Sequence, residues 1–228
     1  MSSIFKKILG GGEGETEDHA DQAGQPPQHK DRLPPGQVWG KRYVIYSANG
    51  NQRISAADWK LKVTGRVERP QEFTYDELLK LPMIRYTKSF HCVTRWSIEL
   101  PTWEGVSIKM LAEMARVTPE ATWVMFRCYD GYTAPVPMED ALKDDAIVAL
   151  RMNDKPLLPE QGFPARPFMP QLYGWKSAKW LGEMEFMPRY QDGYWEAYGY
   201  HERASIWEEE RFKGDGYKPV ARKAFGTV

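Results

Sequence analysis

The alternation of apolar and polar residues predicts several short strands in the middle of the chain. Residues 59–65 alternate with period two, which is typical of a strand with one buried face. Residues 122–127 are mostly apolar and predict a buried strand, and residues 147–152 predict another extended segment. Residues 179–187 are expected to form a final strand, and residues 43–46 an extended piece near the beginning of the ordered chain.

Helical signals are few and cover short segments. Thr74 stands three residues before Glu77, the pattern of a capping box, and Pro82 ends the helix that would follow. Residues 107–115 place their apolar side chains on one helical face, with Ser107 as the candidate N-cap. Each pattern predicts a helix of only two or three turns.

The connections between these elements are long for so small a chain. Residues 138–142 look helical, whereas residues 156–170 are rich in proline and predict a loop. Asp130-Gly131 and Asn153-Asp154 predict turns. Short helices, several strands and long loops indicate an α+β fold with a mixed β-sheet.

The first part of the chain differs in composition from the rest. Residues 10–35 consist largely of Gly, Glu, Asp, Gln and Pro, which cannot bury enough apolar surface to offset the entropy of ordering. We therefore expect a disordered tail over residues 1–35 and a single domain over residues 36–228.

Charge and cysteine content restrict the location and the partners. Lys plus Arg and Asp plus Glu each number 31, so the zero net charge argues against nucleic acid or an anionic membrane as a partner. No apolar run approaches the roughly 20 residues that a membrane span requires. The chain begins without a secretory signal pattern and contains only two cysteines, so we expect a cytoplasmic protein.

One of the two cysteines lies in a chemically unusual stretch. Cys92 is flanked by His91, Arg95 and Trp96. A buried structural cysteine is the ordinary interpretation, but neighbouring basic groups favour the thiolate, which attacks electrophiles and binds metals. The other cysteine, Cys128, lies too far along the chain to form a zinc pattern with it.

A second stretch collects positive charge in a loop punctuated by Gly and Pro. Arg166, Lys176 and Lys179 lie there together with the hydroxyl of Ser177. Such a loop can bind a phosphorylated cofactor through its cations and amides. A solvated basic turn is the alternative interpretation.

The order of several motifs resembles the oxidoreductase molybdopterin-binding domain, the catalytic domain of sulfite oxidase and its bacterial relatives. The resemblance spans residues 38–212. Its elements are Cys92-x-x-x-Trp96-Ser97, Trp103-x-Gly105-Val106, Asp130-Gly131-Tyr132, Gln161-Gly-x-Pro-x-Arg166, Tyr173-Gly-Trp-Lys-Ser-x-Lys179-Trp180 and Trp195-Glu-Ala-Tyr-Gly-Tyr200.

The resemblance implies a molybdenum–molybdopterin cofactor and a role for each matching residue. Cys92 would be the protein thiolate bound to molybdenum. Tyr200 would present its hydroxyl toward the metal, with surface packing among neighbouring tyrosines as the alternative. Arg95 does not match an arginine of the family, and its proximity to Cys92 suggests separately that it attracts an anionic substrate. The residues expected to contact the cofactor are Tyr46, His91, Cys92, Cys128, Gln161, Arg166, Lys176, Ser177, Ala178 and Lys179. For Cys128, a buried structural thiol that binds nothing is the alternative interpretation.

The implied activity is two-electron oxygen-atom transfer on a small oxyanion such as sulfite. The alternatives are reduction of a sulfoxide or N-oxide, a non-catalytic molybdopterin carrier, and a thiol-based binding protein without metal. Ser97 replaces an arginine of sulfite oxidases, and Thr94 replaces an acidic residue of the methionine-sulfoxide-reducing relatives, so neither template fits fully. We expect an electron donor or acceptor as partner, and a monomer, because the β-sandwich of classical sulfite oxidases does not follow.

Overall fold

The computed structural model describes residues 31–214. The predicted tail, residues 1–35, therefore lies almost entirely outside the described residues, and so do residues 215–228 of the predicted domain. Among the described residues, no helix is both long enough and apolar enough to cross a membrane.

Thirteen short strands and three α-helices make up the regular structure of the described residues. The strands are β1 (Val38–Trp39), β2 (Lys60–Gly65), β3 (Gln71–Thr74), β4 (Met83–Thr87), β5 (Phe90–His91), β6 (Trp96–Ile98), β7 (Thr102–Ser107), β8 (Trp123–Cys128), β9 (Thr133–Pro137), β10 (Ile147–Met152), β11 (Lys155–Pro156), β12 (Arg166–Phe168) and β13 (Leu181–Met187). The helices are α1 (Tyr75–Leu79), α2 (Ile108–Ala115) and α3 (Met138–Ala141).

The strands form three sheets. One sheet has the order β3-β2-β13-β8-β9. In this sheet β2 and β13 pair in parallel, and all other neighbouring strands are antiparallel. A second, antiparallel sheet has the order β11-β10-β7-β4, with β12 paired to β10. A small third sheet, β1-β6-β5, contains the hairpin that bears Cys92. The α+β class with mixed sheets and short helices is confirmed.

The local patterns explain the elements that position the site. Leu61 and Val63 of β2 are fully buried while Lys60 and Lys62, which alternate with them, face solvent, as the period of two predicts. The Thr74 side chain accepts from the Glu77 amide and the Glu77 carboxylate accepts from the Thr74 amide, which confirms the capping box. Ser107 caps α2 through the Met110 amide.

Two segments differ from the expectations. Residues 156–170 are not only loop, because they contain a 3₁₀ turn at Pro159–Gln161 and the fully buried strand β12. Pairing with the buried strand β10 satisfies the backbone there, a long-range effect that local composition does not show. Residues 43–46 belong to none of the described strands.

Candidate active site

The Cys92 segment is a tight hairpin turn between β5 and β6. The Cys92 amide donates to the Trp96 carbonyl at 2.9 Å, and the Arg95 amide donates to the Cys92 carbonyl at 3.1 Å. Arg95 has φ of 79° and closes the turn in the left-handed region. The Cys92 sulfur lies 3.2 Å from the hydroxyl of Thr94 and is partly accessible. Cys92 is therefore the first residue of the turn, directly after β5.

Arg166 of β12 binds the basic loop of Ser177 and Lys179, which is the candidate cofactor loop. Its Nε donates to the Ser177 hydroxyl at 2.9 Å, one Nη donates to the Ser177 carbonyl at 2.6 Å, and the other donates to the Gln161 carbonyl at 2.8 Å. Its guanidinium also lies 5.7 Å from the ring of Phe90, two residues before Cys92. The two stretches that the sequence singled out thus lie next to each other.

Tyr43 lies between these two stretches, and sequence analysis missed it. Its ring packs 5.0 Å from Phe90 and 5.8 Å from Trp96. Its hydroxyl is buried and has no hydrogen-bond partner among the described residues. Burial raises the pKa of Tyr43, partly opposed by the charge of Arg166 and by the closeness of its N–H donors, and charge on Cys92 raises it further. The neutral hydroxyl is therefore available to a polar ligand.

Lys179 supplies a cation on the same loop. Its ammonium donates to the hydroxyl of Ser47 and, at 3.1 Å, to the Glu160 carbonyl. Burial, together with repulsion from Arg166, lowers the pKa of Lys179 to about 8. An anionic partner would favour the charged form of the Lys179 ammonium and so raise this pKa.

Lys176 and Ser177 direct their side chains into the protein. The Lys176 ammonium donates to the Pro135 carbonyl at 2.7 Å and to a Glu196 carboxylate oxygen at 2.6 Å, and it is fully buried. The Ser177 hydroxyl donates to the Pro167 carbonyl. Ala178 is buried as well. In this structure the donors of the Lys176 side chain hold the fold together and do not face a ligand.

An aromatic wall borders the Cys92 turn, formed by Tyr46, Trp175, Trp195 and Tyr200. The Tyr200 ring lies 4.9 Å from Trp195 and 5.1 Å from Trp175, and Tyr46 lies 6.3 Å from Trp195. Burial raises the pKa of Tyr200, and the nearby charge of Cys92 raises it further. The Tyr200 hydroxyl is therefore protonated and able to donate near the thiol.

The two basic neighbours of Cys92 are both engaged elsewhere. Arg95 is 62% exposed, and its guanidinium lies 3.7 Å from the Glu209 carboxylate and 3.4 Å from the Gly36 carbonyl. The His91 ring is buried, with Nδ1 2.8 Å from the Ser97 hydroxyl. Burial lowers the pKa of His91 to about 4, so the imidazole is neutral at pH 7.

The other predicted cofactor contacts are Cys128 and Gln161. Both cysteines are free thiols in the described structure, and burial raises the pKa of Cys128 well above its usual value. The Gln161 side chain accepts from the Leu158 amide at 2.9 Å, so it caps the 3₁₀ turn while its carbonyl accepts from Arg166.

Comparison with known proteins settles the family. Residues 48–195 match the model of the oxidoreductase molybdopterin binding domain. The chain belongs to this family. It is therefore an oxidoreductase with a molybdenum–molybdopterin cofactor, which confirms the predicted enzyme class and cofactor.

Individual relatives agree with this assignment. The chain is 36% identical over 185 residues to an uncharacterized oxidoreductase of Bacillus subtilis, YuiH, covering 81% of this chain and 93% of the relative. It is 30% identical over 164 residues to the protein-methionine-sulfoxide reductase catalytic subunit MsrP of Campylobacter jejuni, covering 64% of this chain and 55% of the relative. The chain thus spans little more than half of that reductase.

A solved structure shares the fold. The sulfane dehydrogenase SoxCD from Paracoccus pantotrophus aligns with a TM-score of 0.58 at 20% identity, over 83% of this chain and 53% of the SoxCD chain. The predicted sulfite-oxidase-type fold is confirmed.

The residues at the site fit the cofactor of the family. Within residues 31–214, no three His, Cys, Asp or Glu side chains are grouped so that they could hold a metal ion by themselves. Cys92 offers a soft, accessible donor, and the Tyr43 hydroxyl is buried without a partner. Lys179 supplies a cation suited to a phosphate.

Proposed function

We propose that Cys92 ligates molybdenum and that the enzyme reduces a neutral sulfoxide at the face bordered by the aromatic wall. The observation that carries the proposal is the pairing of Arg95 with Glu209 beside an aromatic surface. A carboxylate at the only arginine within the Cys92 turn offsets the attraction for an anion, whereas aromatic rings suit an apolar sulfoxide.

The residues of the chain have distinct roles in this proposal. When bound, the cofactor supplies two-electron oxygen-atom transfer. Cys92 holds the metal, Tyr43 hydrogen-bonds a polar group of the pterin, and Lys179 neutralises its terminal phosphate. Arg166 fixes the loop that carries Lys179, because its donors are taken by Ser177 and Gln161.

Tyr200 is placed to act on the substrate. Its raised pKa keeps the hydroxyl protonated, so it can donate a hydrogen bond to the oxygen of a sulfoxide. In the overall reaction, a sulfoxide takes up two electrons and two protons and leaves as a sulfide and water. An external electron donor must supply the electrons, and the existence of such a partner and the cytoplasmic location stay predictions.

The relatives support the same substrate class. Two of the proteins that the chain resembles at 30% identity, from Campylobacter jejuni and Azospira oryzae, are described as protein-methionine-sulfoxide reductase subunits, the latter putatively. The chain covers 55% and 60% of their lengths, so their substrate enters here only as a proposal.

Sulfite oxidation is the second candidate. Arg95 stands three residues after Cys92 and is 62% exposed, so it can leave Glu209 and meet an anion. An exposed ion pair of this kind contributes at most about 1 kcal/mol, which an oxyanion close to the metal can replace.

An assay in both directions separates the candidates. Purified holoprotein would be tested with reduced viologen against methionine sulfoxide, dimethyl sulfoxide and an N-oxide, and with ferricyanide against sulfite. We expect turnover of the sulfoxides that Cys92→Ser abolishes and Cys128→Ser preserves. Sulfite turnover whose KM rises in Arg95→Ala would favour the second candidate. Metal-loaded protein without turnover of any of these compounds would contradict both.

A further inference from the structure

We infer that Arg211 and Gln37 are positioning residues that fix the backbone of the Cys92 turn and thereby the direction of its thiolate. This inference rests on the proposed function, in which Cys92 is the ligand of the metal. Both residues lie outside residues 48–195, the segment that matches the family model.

Arg211 reaches the Cys92 turn from the far end of the described chain. One Nη donates to the Val93 carbonyl at 2.6 Å, across 118 residues of sequence. The other Nη donates to the side-chain oxygen of Gln37 at 3.3 Å and to the Pro35 carbonyl at 3.2 Å. The side chain is only 6% exposed and stacks 4.7 Å over the ring of Tyr173. The guanidinium is therefore held on several sides.

Gln37 connects Arg211 to the backbone of Cys92 through hydrogen bonds. Its amide nitrogen donates to the Cys92 carbonyl at 3.1 Å and to the hydroxyl of Ser97 at 3.2 Å. The side-chain oxygen accepts from Arg211, which fixes the orientation of the amide. Gln37 is 7% exposed, so water competes little for these bonds.

Gly36 allows the two segments to approach so closely. It has φ of 67°, and a Cβ at this position would lie 2.3 Å from a Glu209 carboxylate oxygen and 3.1 Å from Arg211 Nη2. Glu209 in turn accepts from Arg211 Nε at 3.1 Å. The positive φ therefore favours glycine here, and a larger residue would also have to displace the ends of the Glu209 and Arg95 side chains.

The contacts restrain two consecutive carbonyls on the turn that presents the thiol. The Cys92 carbonyl accepts from Gln37, and the Val93 carbonyl accepts from Arg211. Because Sγ is only two bonds from the Cys92 backbone, rotation of these peptide planes would move the sulfur. Groups that orient a metal ligand change metal affinity by roughly 10- to 100-fold when removed.

The test compares Gln37→Met and Arg211→Met with Arg127→Met, all in a Cys128→Ser background so that only Cys92 can be alkylated. Arg127 pairs with Glu185 on the large mixed sheet and serves as a control for the loss of a partly buried arginine. The first readout is the rate of Cys92 alkylation by iodoacetamide in cofactor-free protein. The second is the thiolate-to-molybdenum charge-transfer absorption of the loaded protein, together with the rate at which molybdenum is lost during dialysis.

We expect both test variants to alkylate several-fold faster than the control, to lose molybdenum faster by roughly 10- to 100-fold, and to shift the charge-transfer band. Arg211→Lys keeps the positive charge but loses the planar guanidinium with its several donors. Its alkylation rate and its rate of molybdenum loss should lie between those of wild type and Arg211→Met. If Arg211→Met does not fold, Gln37→Met decides, since it removes the bond to Cys92 at similar volume.

Unchanged alkylation and an unchanged band in Gln37→Met and Arg211→Met, beside a lowered Tm like that of the control, would overturn the inference. Failure of the proposed function gives a different result. If the wild type bound no molybdenum, the alkylation rates would still show whether Arg211 and Gln37 hold the turn.

Discussion

The ammonium of Lys176 lies 2.6 Å from a carboxylate oxygen of Glu196, and neither side chain is exposed to solvent. The same oxygen accepts from the indole of Trp175 at 2.9 Å. Lys176 directly precedes the Ser177–Lys179 loop, and Glu196 follows Trp195 of the aromatic wall. This ion pair therefore joins the base of the cofactor loop to the wall that borders Cys92.

Removing one partner of this ion pair should be costly. Lys176→Met leaves the Glu196 carboxylate buried without its cation, and we expect a loss of about 3–5 kcal/mol in the free energy of unfolding. Lys176→Met combined with Glu196→Gln should recover much of that loss, because no charge stays buried. Urea denaturation of the single and double variants measures both effects. Equal destabilisation in the two proteins would show that the charge is not the cause.

Arg166 should be irreplaceable by lysine. Arg166→Lys keeps the charge but cannot serve the Ser177 hydroxyl, the Ser177 carbonyl and the Gln161 carbonyl together. Leaving buried acceptors unpaired should lower the free energy of unfolding by about 2 kcal/mol or more, with a parallel fall in bound molybdopterin. Arg85→Lys, at an exposed ion pair with Asp154, is the matched control and should stay within about 0.5 kcal/mol of wild type. Full cofactor content in Arg166→Lys would contradict the role of this residue.

Anion binding by cofactor-free protein should weaken as the pH rises through about 8, the value to which burial lowers the pKa of Lys179. Above that pH the Lys179 side chain is neutral and loses its attraction for an anion. Sulfate is a suitable probe because its charge does not change in this range, and calorimetric titrations between pH 7 and pH 9.5 give its affinity. In Lys179→Gln the affinity at pH 7 should be lower and the pH dependence around 8 should disappear. An identical pH profile in that variant would exclude Lys179 from the anion site.

Gly174 couples the cofactor loop to the Cys92 hairpin. A Cβ at this position would lie 2.2 Å from the ring of Phe90, which precedes Cys92 by two residues. Gly174→Ala should therefore displace the Phe90 ring and lower the free energy of unfolding by about 1–3 kcal/mol, together with cofactor content. Gly214→Ala, where a Cβ meets nothing within 4 Å, is the control for added side-chain volume. Thermal unfolding with and without cofactor would show the two effects, and an unchanged Tm in Gly174→Ala would contradict the close packing.

Local sequence patterns predicted the elements whose causes are local. The capping box of Thr74 and Glu77 and the N-cap at Ser107 are confirmed, because each depends on residues within three positions. The strand β12 was missed, since its pairing with β10 arises from distant sequence and the prolines in and around it resemble those of a loop.

In the functional site, too, features with local causes were predicted and features that depend on distant residues were not. The motifs around Cys92 and Arg166 were visible in sequence, and the fold brings them together at Phe90. Gln37 and Arg211 were not found, because they are 174 residues apart and Arg211 lies in a charged run that resembles a solvated surface. From sequence, Lys176 and Lys179 were both expected to contact the cofactor. The 3₁₀ turn Gly174–Lys176 instead directs Lys176 into the core.

The most direct test of the account is the molybdenum content of purified wild type, Cys92→Ser and Cys128→Ser, expressed in a host that makes molybdopterin. Serine offers a hard oxygen in place of the soft thiolate, whereas Cys128 is not proposed as a ligand. We predict near-stoichiometric molybdenum in wild type and Cys128→Ser, and its loss from Cys92→Ser on dialysis with the fold intact. A Cys92→Ser protein that keeps full molybdenum and the absorption spectrum of the wild type would contradict Cys92 as the metal ligand.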